Sequence, residues 1–171
     1  MKKTFFSVAI LATLLFSACK NNDPLTDKGV VINGVTWATR NVGSIGTFMP
    51  NPGDYGNYYT WQEAQNVCPS GWRLPTKSEF ETLINANSTW TTKNGKNGRK
   101  FGNGSNTIFM PAAGYRNGGI SSPTDVDNCG YYWSSTVYNN SDAYNWFFHS
   151  DVALLFYQYK TDGFSVRCVK E

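Results

Sequence analysis

One short block constrains the fold of this chain more than any other stretch, and it reads Cys68-Pro-Ser-Gly-Trp-Arg-Leu-Pro-Thr-Lys-Ser-Glu-Phe80. The block joins a cysteine, a turn rich in proline and glycine, and the start signal of a helix. Thr76 and Glu79 have the spacing of a capping box, in which each side chain accepts a hydrogen bond from an unpaired backbone N–H of the first turn. The pattern predicts a helix that begins at Lys77 and ends within residues 85–88. Its apolar residues have helical spacing and predict one buried face: Phe80, Leu83 and Ile84.

Two further local patterns predict secondary structure. Val30–Ile32 and Val35–Trp37 are short β-rich runs joined by Asn33-Gly34, and Asn-Gly is the pair that best adopts the positive φ angles of a two-residue hairpin turn. Thr60 and Glu63 form a second capping box, which predicts a short helix from Trp61 to about Val67.

The N-terminus has the features of an export signal. Lys2 and Lys3 precede an apolar run from Val8 to Phe16, and Phe16-Ser-Ala-Cys19 follows with the small residues of a cleavage site ending in cysteine. The apolar run is shorter than the roughly 20 residues of a membrane-spanning helix. We therefore expect a bacterial lipoprotein with a signal peptide over 1–18, a lipidated Cys19 and tether over 19–29, and one domain over 30–171. The alternatives are a plain secretory peptide and an uncleaved anchor.

The charge balance excludes one class of partner. The chain has 15 Lys and Arg residues against 12 Asp and Glu residues, and two of the positive charges lie in the predicted leader. A nucleic-acid-binding domain needs a clear excess of positive charge. We therefore expect no nucleic acid as a partner, and expect contact with a membrane only through the lipid on Cys19.

The cysteines predict a disulfide, because exported chains fold in an oxidising compartment. With Cys19 assigned to lipid, Cys68, Cys129 and Cys168 remain, which is an odd number. We pair Cys68 with Cys168, which ties the turn–helix block to the C-terminal end and leaves Cys129 unpaired. A bridge from Cys129 to either of the other two is the alternative.

A basic stretch from Thr91 to Asn106 is predicted to be a loop. It contains three Asn-Gly pairs interleaved with four basic residues: Lys93, Lys96, Arg99 and Lys100. Such a stretch could bind phosphate or an anionic glycan. The interpretation that we favour is a solvated, turn-rich excursion.

Aromatic residues dominate the C-terminal third. Eleven of them lie between Tyr131 and Tyr159, in segments that read as antiparallel strands broken by Asn, Ser and Asp turns and followed by a closing strand from Phe164 to Val169. Four of the aromatics in this region are predicted to fill the core: Trp133, Trp146, Phe148 and Phe164. Tyrosine and asparagine offer large rigid contacts and adaptable hydrogen bonds. The predicted exposed, ligand-binding set is Tyr138, Asn139, Asn140, Tyr144, Asn145, Tyr157 and Tyr159.

Catalytic and metal sites find little support in the sequence. His149 is the single histidine, which excludes a zinc site built from several histidines and leaves any Ser-His-Asp or Cys-His mechanism dependent on this residue. Asp125-Val-Asp-Asn128 offers oxygen ligands for calcium but lacks the spacing of a known calcium loop. We expect an ordinary acidic turn there, no cofactor and no catalytic residues.

Seven blocks in order resemble one known family. They are Trp37 with Arg40-Asn41, Tyr55–Tyr58, Cys68–Pro75, Gly98–Phe101, Phe109–Arg116, Gly130–Ser135 and Gly163–Cys168. Over roughly Val30 to Lys170 the chain resembles the Fibrobacter succinogenes major paralogous domain, which is abundant in Bacteroidetes surface lipoproteins. The resemblance implies an α+β, C-type-lectin-like fold in which two short helices surround a twisted antiparallel sheet with long loops.

The same superfamily contains formylglycine-generating enzymes and the variable proteins of diversity-generating retroelements, so fold alone does not decide function. Those enzymes use a cysteine pair, and this chain offers Cys129 no second thiol. We therefore expect an outer-membrane lipoprotein, displayed at the cell surface, that binds a glycan or a protein and is not an enzyme. The alternatives are a retroelement-diversified receptor, a structural or adhesin subunit, and a formylglycine-generating-type enzyme.

Overall fold

A computed structural model describes residues 26–118 and 122–171. In these ranges the chain forms ten strands and two short helices, which confirms the predicted α+β class. The elements in chain order are β1 (Val30–Ile32), β2 (Val35–Trp37), α1 (Trp61–Ala64), β3 (Trp72–Arg73), α2 (Lys77–Ile84), β4 (Ser88–Lys93), β5 (Lys96–Asn103), β6 (Asn106–Pro111), β7 (Gly130–Val137), β8 (Asp142–Phe148), β9 (Ala153–Tyr159) and β10 (Val169–Lys170).

The described strands form three separate sheets where the sequence predicted one. The strand orders are β1-β2-β10-β3, β4-β5-β6 and β7-β8-β9, and all the neighbouring strands are antiparallel. The C-terminal antiparallel sheet is therefore confirmed as β7-β8-β9. The prediction of a loop over Thr91–Asn106 is wrong, because most of this stretch belongs to β4, β5 and the start of β6.

The local predictions near the two capping boxes and the first hairpin are confirmed. Asn33 and Gly34 have φ angles of 47° and 84° and form the β1–β2 turn. Thr60 and Thr76 both cap helices through a reciprocal hydrogen bond with the glutamate three residues on. α1 ends at Ala64, three residues earlier than predicted. On α2, Phe80 and Leu83 are buried as expected, whereas Ile84 is exposed.

The core consists of two groups of packed side chains. One surrounds Trp133 and Phe164, whose rings stack with centroids 4.1 Å apart. The other surrounds Trp37, Phe80 and Trp146, and the last two rings stack between α2 and β8 at 5.8 Å. Full burial of a side chain such as Phe80 contributes about 1.5–3 kcal/mol. The four predicted core aromatics, Trp133, Trp146, Phe148 and Phe164, are all fully buried.

The C-terminal segment runs through the middle of the molecule and joins the sheets. The predicted strand over Phe164–Val169 is a regular strand only at β10, and the residues before it make single bridges to Tyr59 and to Tyr132 of β7. The disulfide between Cys68 and Cys168 is confirmed. Among the described residues, Cys129 is the free thiol, and it is half-buried.

Arg167 is fully buried and donates hydrogen bonds to three groups in two other segments of the chain. Its guanidinium donates to the Asn41 side-chain oxygen at 2.8 Å, to the Ala38 carbonyl at 3.0 Å and to the Phe109 carbonyl at 3.1 Å. Burial lowers the pKa of Arg167 from its ordinary value. The hydrogen bonds offset the cost of burying this charge, so that the C-terminal segment is fixed against β6 and the loop after β2.

Two findings concern the membrane. In the parts of the chain that the structure describes, no helix is long and apolar enough to cross a bilayer. The predicted signal peptide and the predicted lipidation site at Cys19 lie outside the described residues.

Candidate functional site

Three of the predicted binding residues form a compact aromatic group on the C-terminal sheet. Tyr144 of β8 and Tyr157 of β9 are opposite each other in the strand register, and Tyr138 follows directly after β7. The Tyr138 and Tyr157 rings stack at 3.9 Å and 9°, and the Tyr138 ring meets the Tyr144 ring edge-on at 5.4 Å. Tyr138 and Tyr157 are 45% and 41% exposed, and Tyr144 is half-buried. We call these three residues the tyrosine cluster.

A lysine that the sequence did not single out completes this group. The cluster is on the same face of the sheet as α2, and the Nζ atom of Lys77, the first residue of α2, lies 4.7 Å from the centroid of the Tyr144 ring. The backbone N–H of Lys77 donates to the Thr136 hydroxyl at 3.0 Å, which fixes the start of α2 against the end of β7. A cation over a tyrosine face is a favourable contact. The same Nζ atom lies 3.7 Å from the Glu81 carboxylate, so the charge beside the rings belongs to an exposed ion pair.

The hydroxyls of the cluster are coupled to each other. A hydrogen bond with Tyr157 raises the pKa of Tyr138 above its ordinary value. The Tyr138 hydroxyl therefore stays protonated at physiological pH, and its oxygen can accept a hydrogen bond from a ligand.

The predicted asparagines Asn139 and Asn140 form the turn between β7 and β8. The Asn139 side-chain oxygen accepts from the backbone N–H groups of Ser141 and Asp142 at 2.8 and 2.7 Å. Lys160 donates from its Nζ to the carbonyls of Asn139 and Asn140. The side chain of Asn139 therefore shapes the turn, while Asn140 is exposed beside the tyrosine cluster.

The two remaining predicted residues differ from each other. Tyr159 is 63% exposed, opposite Asp142 at the end of the sheet. The prediction that Asn145 is exposed is wrong, because Asn145 is fully buried on the other face, between Trp133 and Phe156 in the register. Its position follows from the alternation of β8, in which Tyr144 and Trp146 face α2. Neither polar atom of the Asn145 amide has a hydrogen-bond partner among the described residues.

The face of the sheet opposite the tyrosine cluster carries an apolar groove that sequence reasoning missed. It has a volume of about 210 Å³ and is lined by Tyr131, Phe147, Leu154, Phe156 and Gln158. Phe156 is 47% exposed at its centre. The alternation of Leu154, Phe156 and Gln158 along β9 is the sequence signal that could have revealed this face.

The basic stretch has partners of its own. Lys96 lies 3.6 Å from the Asp54 carboxylate and 4.2 Å from the centroid of the Tyr55 ring. Arg99 donates to the Ser150 carbonyl at 2.9 Å. Two of the four predicted basic residues therefore stabilise the hairpin against neighbouring segments, which weakens the case for an anion site.

The residues considered for catalysis or metal binding are also engaged. Asp127 accepts from the Tyr55 hydroxyl at 2.5 Å and from the Asn97 N–H at 3.0 Å, and burial together with this carboxylate raises the pKa of Tyr55. The Nδ1 atom of His149 accepts from the Asp151 N–H at 3.2 Å. Within 26–118 and 122–171, no three His, Cys, Asp or Glu side chains group closely enough to hold a metal ion.

Comparison with known proteins gives one family. The family model described as the Fibrobacter succinogenes major domain matches residues 50–170, so the matched region starts after the β1–β2 hairpin and includes the tyrosine cluster and the groove. No curated protein and no solved structure matches the chain.

Proposed function

The chain belongs to the Fibrobacter succinogenes major domain family, and from that premise we propose that it is a binding module that recognises a glycan or protein ligand through the tyrosine cluster. We further propose that the domain has a C-type-lectin-like fold and is a lipoprotein of the bacterial outer membrane, displayed at the cell surface. The predicted signal peptide over 1–18, followed directly by Cys19, supports the anchoring.

The observation that carries this proposal is the arrangement of Tyr138, Tyr144 and Tyr157 beside Lys77. Contiguous exposed apolar surface marks interaction sites, and tyrosine is enriched where proteins bind their ligands. The stacking of Tyr138 on Tyr157 fixes both rings before a ligand arrives, which reduces the entropy lost on binding. A sugar ring can lie on such a face, and the tyrosine hydroxyls, Asn140 and Lys77 supply hydrogen bonds around it.

A diversified receptor is the alternative within the same class. Residues 138–141 read Tyr-Asn-Asn-Ser and are all exposed beside Tyr144. Mutagenesis directed at the adenines of Asn codons yields mostly Asn, Tyr, Ser, Asp, His and Phe, and these residues are frequent between Tyr138 and Tyr159, so the composition of this segment fits a variable region. The exposed turn would then set which ligand is bound, with the sheet as its constant support.

An enzymatic role has weaker support. Among the described residues Cys129 is the free thiol, and burial raises the pKa of Cys129, which lowers the fraction of reactive thiolate. The composition of the chain fits a structural or adhesin subunit of the envelope equally well, but that role gives no reason for the exposed tyrosine cluster.

A glycan-array and surface-protein screen with the full chain in detergent micelles tests the proposal. We expect a saturable ligand whose affinity falls at least about tenfold with Tyr144→Ala or Tyr157→Ala. The melting temperature should fall by only a few degrees, because Tyr157 is exposed, Tyr144 is half-buried, and an aromatic pair contributes about 0.5–1.5 kcal/mol.

Two matched controls separate the faces of the sheet. Phe156→Ala changes the face of the sheet opposite the tyrosine cluster. Ile45→Ala changes an apolar side chain that is 72% exposed in a loop outside this sheet. Both variants should bind a ligand with a single recognised unit with the affinity of the unaltered chain. Binding that survives Tyr144→Ala and Tyr157→Ala but is lost with Phe156→Ala would show that the groove, and not the tyrosine cluster, holds the ligand.

A further inference from the structure

β9 is an edge strand with none of the usual protection against pairing. It is the last strand of the β7-β8-β9 sheet, and all seven of its residues are paired with β8 without a bulge. Its sequence, Ala-Leu-Leu-Phe-Tyr-Gln-Tyr, contains no charge and no proline. Natural edge strands are usually short, charged, bulged or covered, because an open edge is a template for another strand.

The hydrogen bonds at both ends of the β8–β9 hairpin show which backbone groups point outward. His149 N–H donates to the Val152 carbonyl, and Lys160 N–H donates to the Ser141 carbonyl. In an antiparallel ladder the bonded pairs alternate. The even-numbered residues of β9 therefore bond to β8, and the odd-numbered residues direct their N–H and C=O groups away from the sheet.

These outward groups are unpaired along most of the strand. Among the described residues, the backbone N–H and C=O groups of Ala153, Leu155 and Tyr157 have no partner on the open side. The Tyr159 carbonyl accepts one bond, from the Asp162 N–H. The open edge can therefore accept an extended strand from Ala153 to Tyr157.

Other edges of the described sheets are better protected. β1 has three residues, and β4 includes Lys93 and three threonines. The free side of β7 is covered, because Trp133 and Tyr131 exchange backbone bonds with Ser165, and Ser135 donates to Pro75. β9 thus combines the length and the apolar character that favour strand addition.

We propose that a second copy of this chain occupies this edge, with the two β9 strands antiparallel about a two-fold axis at Phe156. In this register Phe156 faces its own symmetry mate, Leu155 faces Tyr157, and Ala153 faces Tyr159. The odd-numbered residues of each copy then meet odd-numbered residues of the other, so the outward N–H and C=O groups of both strands are paired.

Self-pairing is favoured over pairing with a different protein by the composition of the strand. A two-fold interface places the same patch against itself, and β9 has no charge that would repel its copy. The register also brings together two Phe156 rings that are each 47% exposed, so the apolar grooves of the two copies meet at the axis. A partner with a charged strand would leave its charges against these apolar side chains.

The dimer has one consequence that rests on the proposed function. Antiparallel pairing within one sheet keeps the same face of each copy on the same side. A six-stranded sheet would therefore display two tyrosine clusters side by side, and a ligand with repeated units would bind both.

Disulfide trapping in the full chain tests the location of the axis. In detergent micelles, with Cys129→Ala as the background, Phe156→Cys should form a covalent dimer under a mild oxidant. Residues opposite each other in a non-bonded antiparallel pair have Cα atoms about 4.5 Å apart, within the range of a disulfide. Tyr157→Cys is the matched control, since it faces Leu155 of the other copy and should not link. The parent background, which keeps Cys19, gives the baseline.

A charge exchange tests the equilibrium. Phe156→Lys and Phe156→Glu should each weaken dimerisation by about tenfold or more, because like charges meet at the axis and the aromatic pair is lost. Mixing the two variants should restore a dimer of one copy of each, measured by sedimentation of the micellar protein, whereas Ile45→Lys should have no effect. A chain that is monomeric at about 100 µM, or equal cross-linking of Phe156→Cys and Tyr157→Cys, would overturn the proposal.

Discussion

Removal of the Cys68–Cys168 disulfide should cost this domain a large part of its stability. The two residues are 100 positions apart, and for a loop of that length the entropy of the unfolded chain gives about 4.7 kcal/mol. A domain of this size has a total stability of about 5–15 kcal/mol. Cys68→Ala combined with Cys168→Ala should therefore lower the melting temperature by about 10–20 °C.

Urea unfolding of the oxidised chain and of the double variant measures this effect. The loss should be accompanied by a steeper dependence of the unfolding free energy on urea, because an unfolded chain without the cross-link exposes more surface. Cys129→Ala is the control and should change stability by no more than about 1 kcal/mol. A loss below about 1 kcal/mol in the double variant, with an unchanged urea slope, would refute the loop-closure reasoning.

Two further predictions concern single side chains. Burial opposes the ionisation of Glu79, but hydrogen bonds from Arg73 and Thr76 outweigh it and lower the pKa of Glu79. The contribution of Glu79 to stability is therefore present above the ordinary pKa of a glutamate and is lost as the pH falls through the lowered pKa. Glu79→Gln should remove this part of the acid sensitivity and cost about 1 kcal/mol at pH 7. A series of urea titrations at different pH values measures both effects. Asn145→Leu should raise the free energy of unfolding by about 1 kcal/mol, because a buried amide without partners carries an uncompensated desolvation cost; a melting temperature lower than that of the unaltered chain would contradict this account.

Features set by a few neighbouring residues were predictable from the sequence. The capping boxes at Thr60 and Thr76 and the Asn33-Gly34 turn depend on backbone groups within four residues, so their spacing alone determines the geometry. The disulfide was predictable because the cysteines were few. The tyrosine cluster was predicted as a set of exposed residues, but Lys77 entered it through tertiary packing that no local pattern reveals.

The failure at Thr91–Asn106 has a specific physical cause. Glycine serves both in turns, where positive φ angles are needed, and in strands, where another backbone approaches closely. Gly95 has a φ of 75° and belongs to the β4–β5 turn, whereas a Cβ atom at Gly98 would lie 2.4 Å from the Met110 carbonyl oxygen of β6. The two Asn-Gly pairs are identical in sequence and have different roles.

Asn145 was misplaced for a related reason. A polar residue between two aromatic residues on a strand is expected to face water, and this holds when one side of the sheet is solvated. On the face of the β7-β8-β9 sheet opposite the tyrosine cluster, the core around Phe164 covers the part near Trp133. Asn145 is therefore buried, while Phe156 on the same face remains exposed. Which part of a sheet face is buried depends on segments that are distant in the sequence, so the pattern of one strand does not reveal it.

The position of β10 determines when the domain can be completed during synthesis. The last strand of the chain lies between β2 and β3, and it pairs Val169 with both Trp37 and Arg73. The first sheet, the disulfide and the anchoring of Arg167 therefore all need residues 167–170 to have been synthesised. Contacts of such long sequence separation also slow folding. A chain truncated before Val169 would keep β1, β2 and β3 and still lack the strand that joins them into the first sheet.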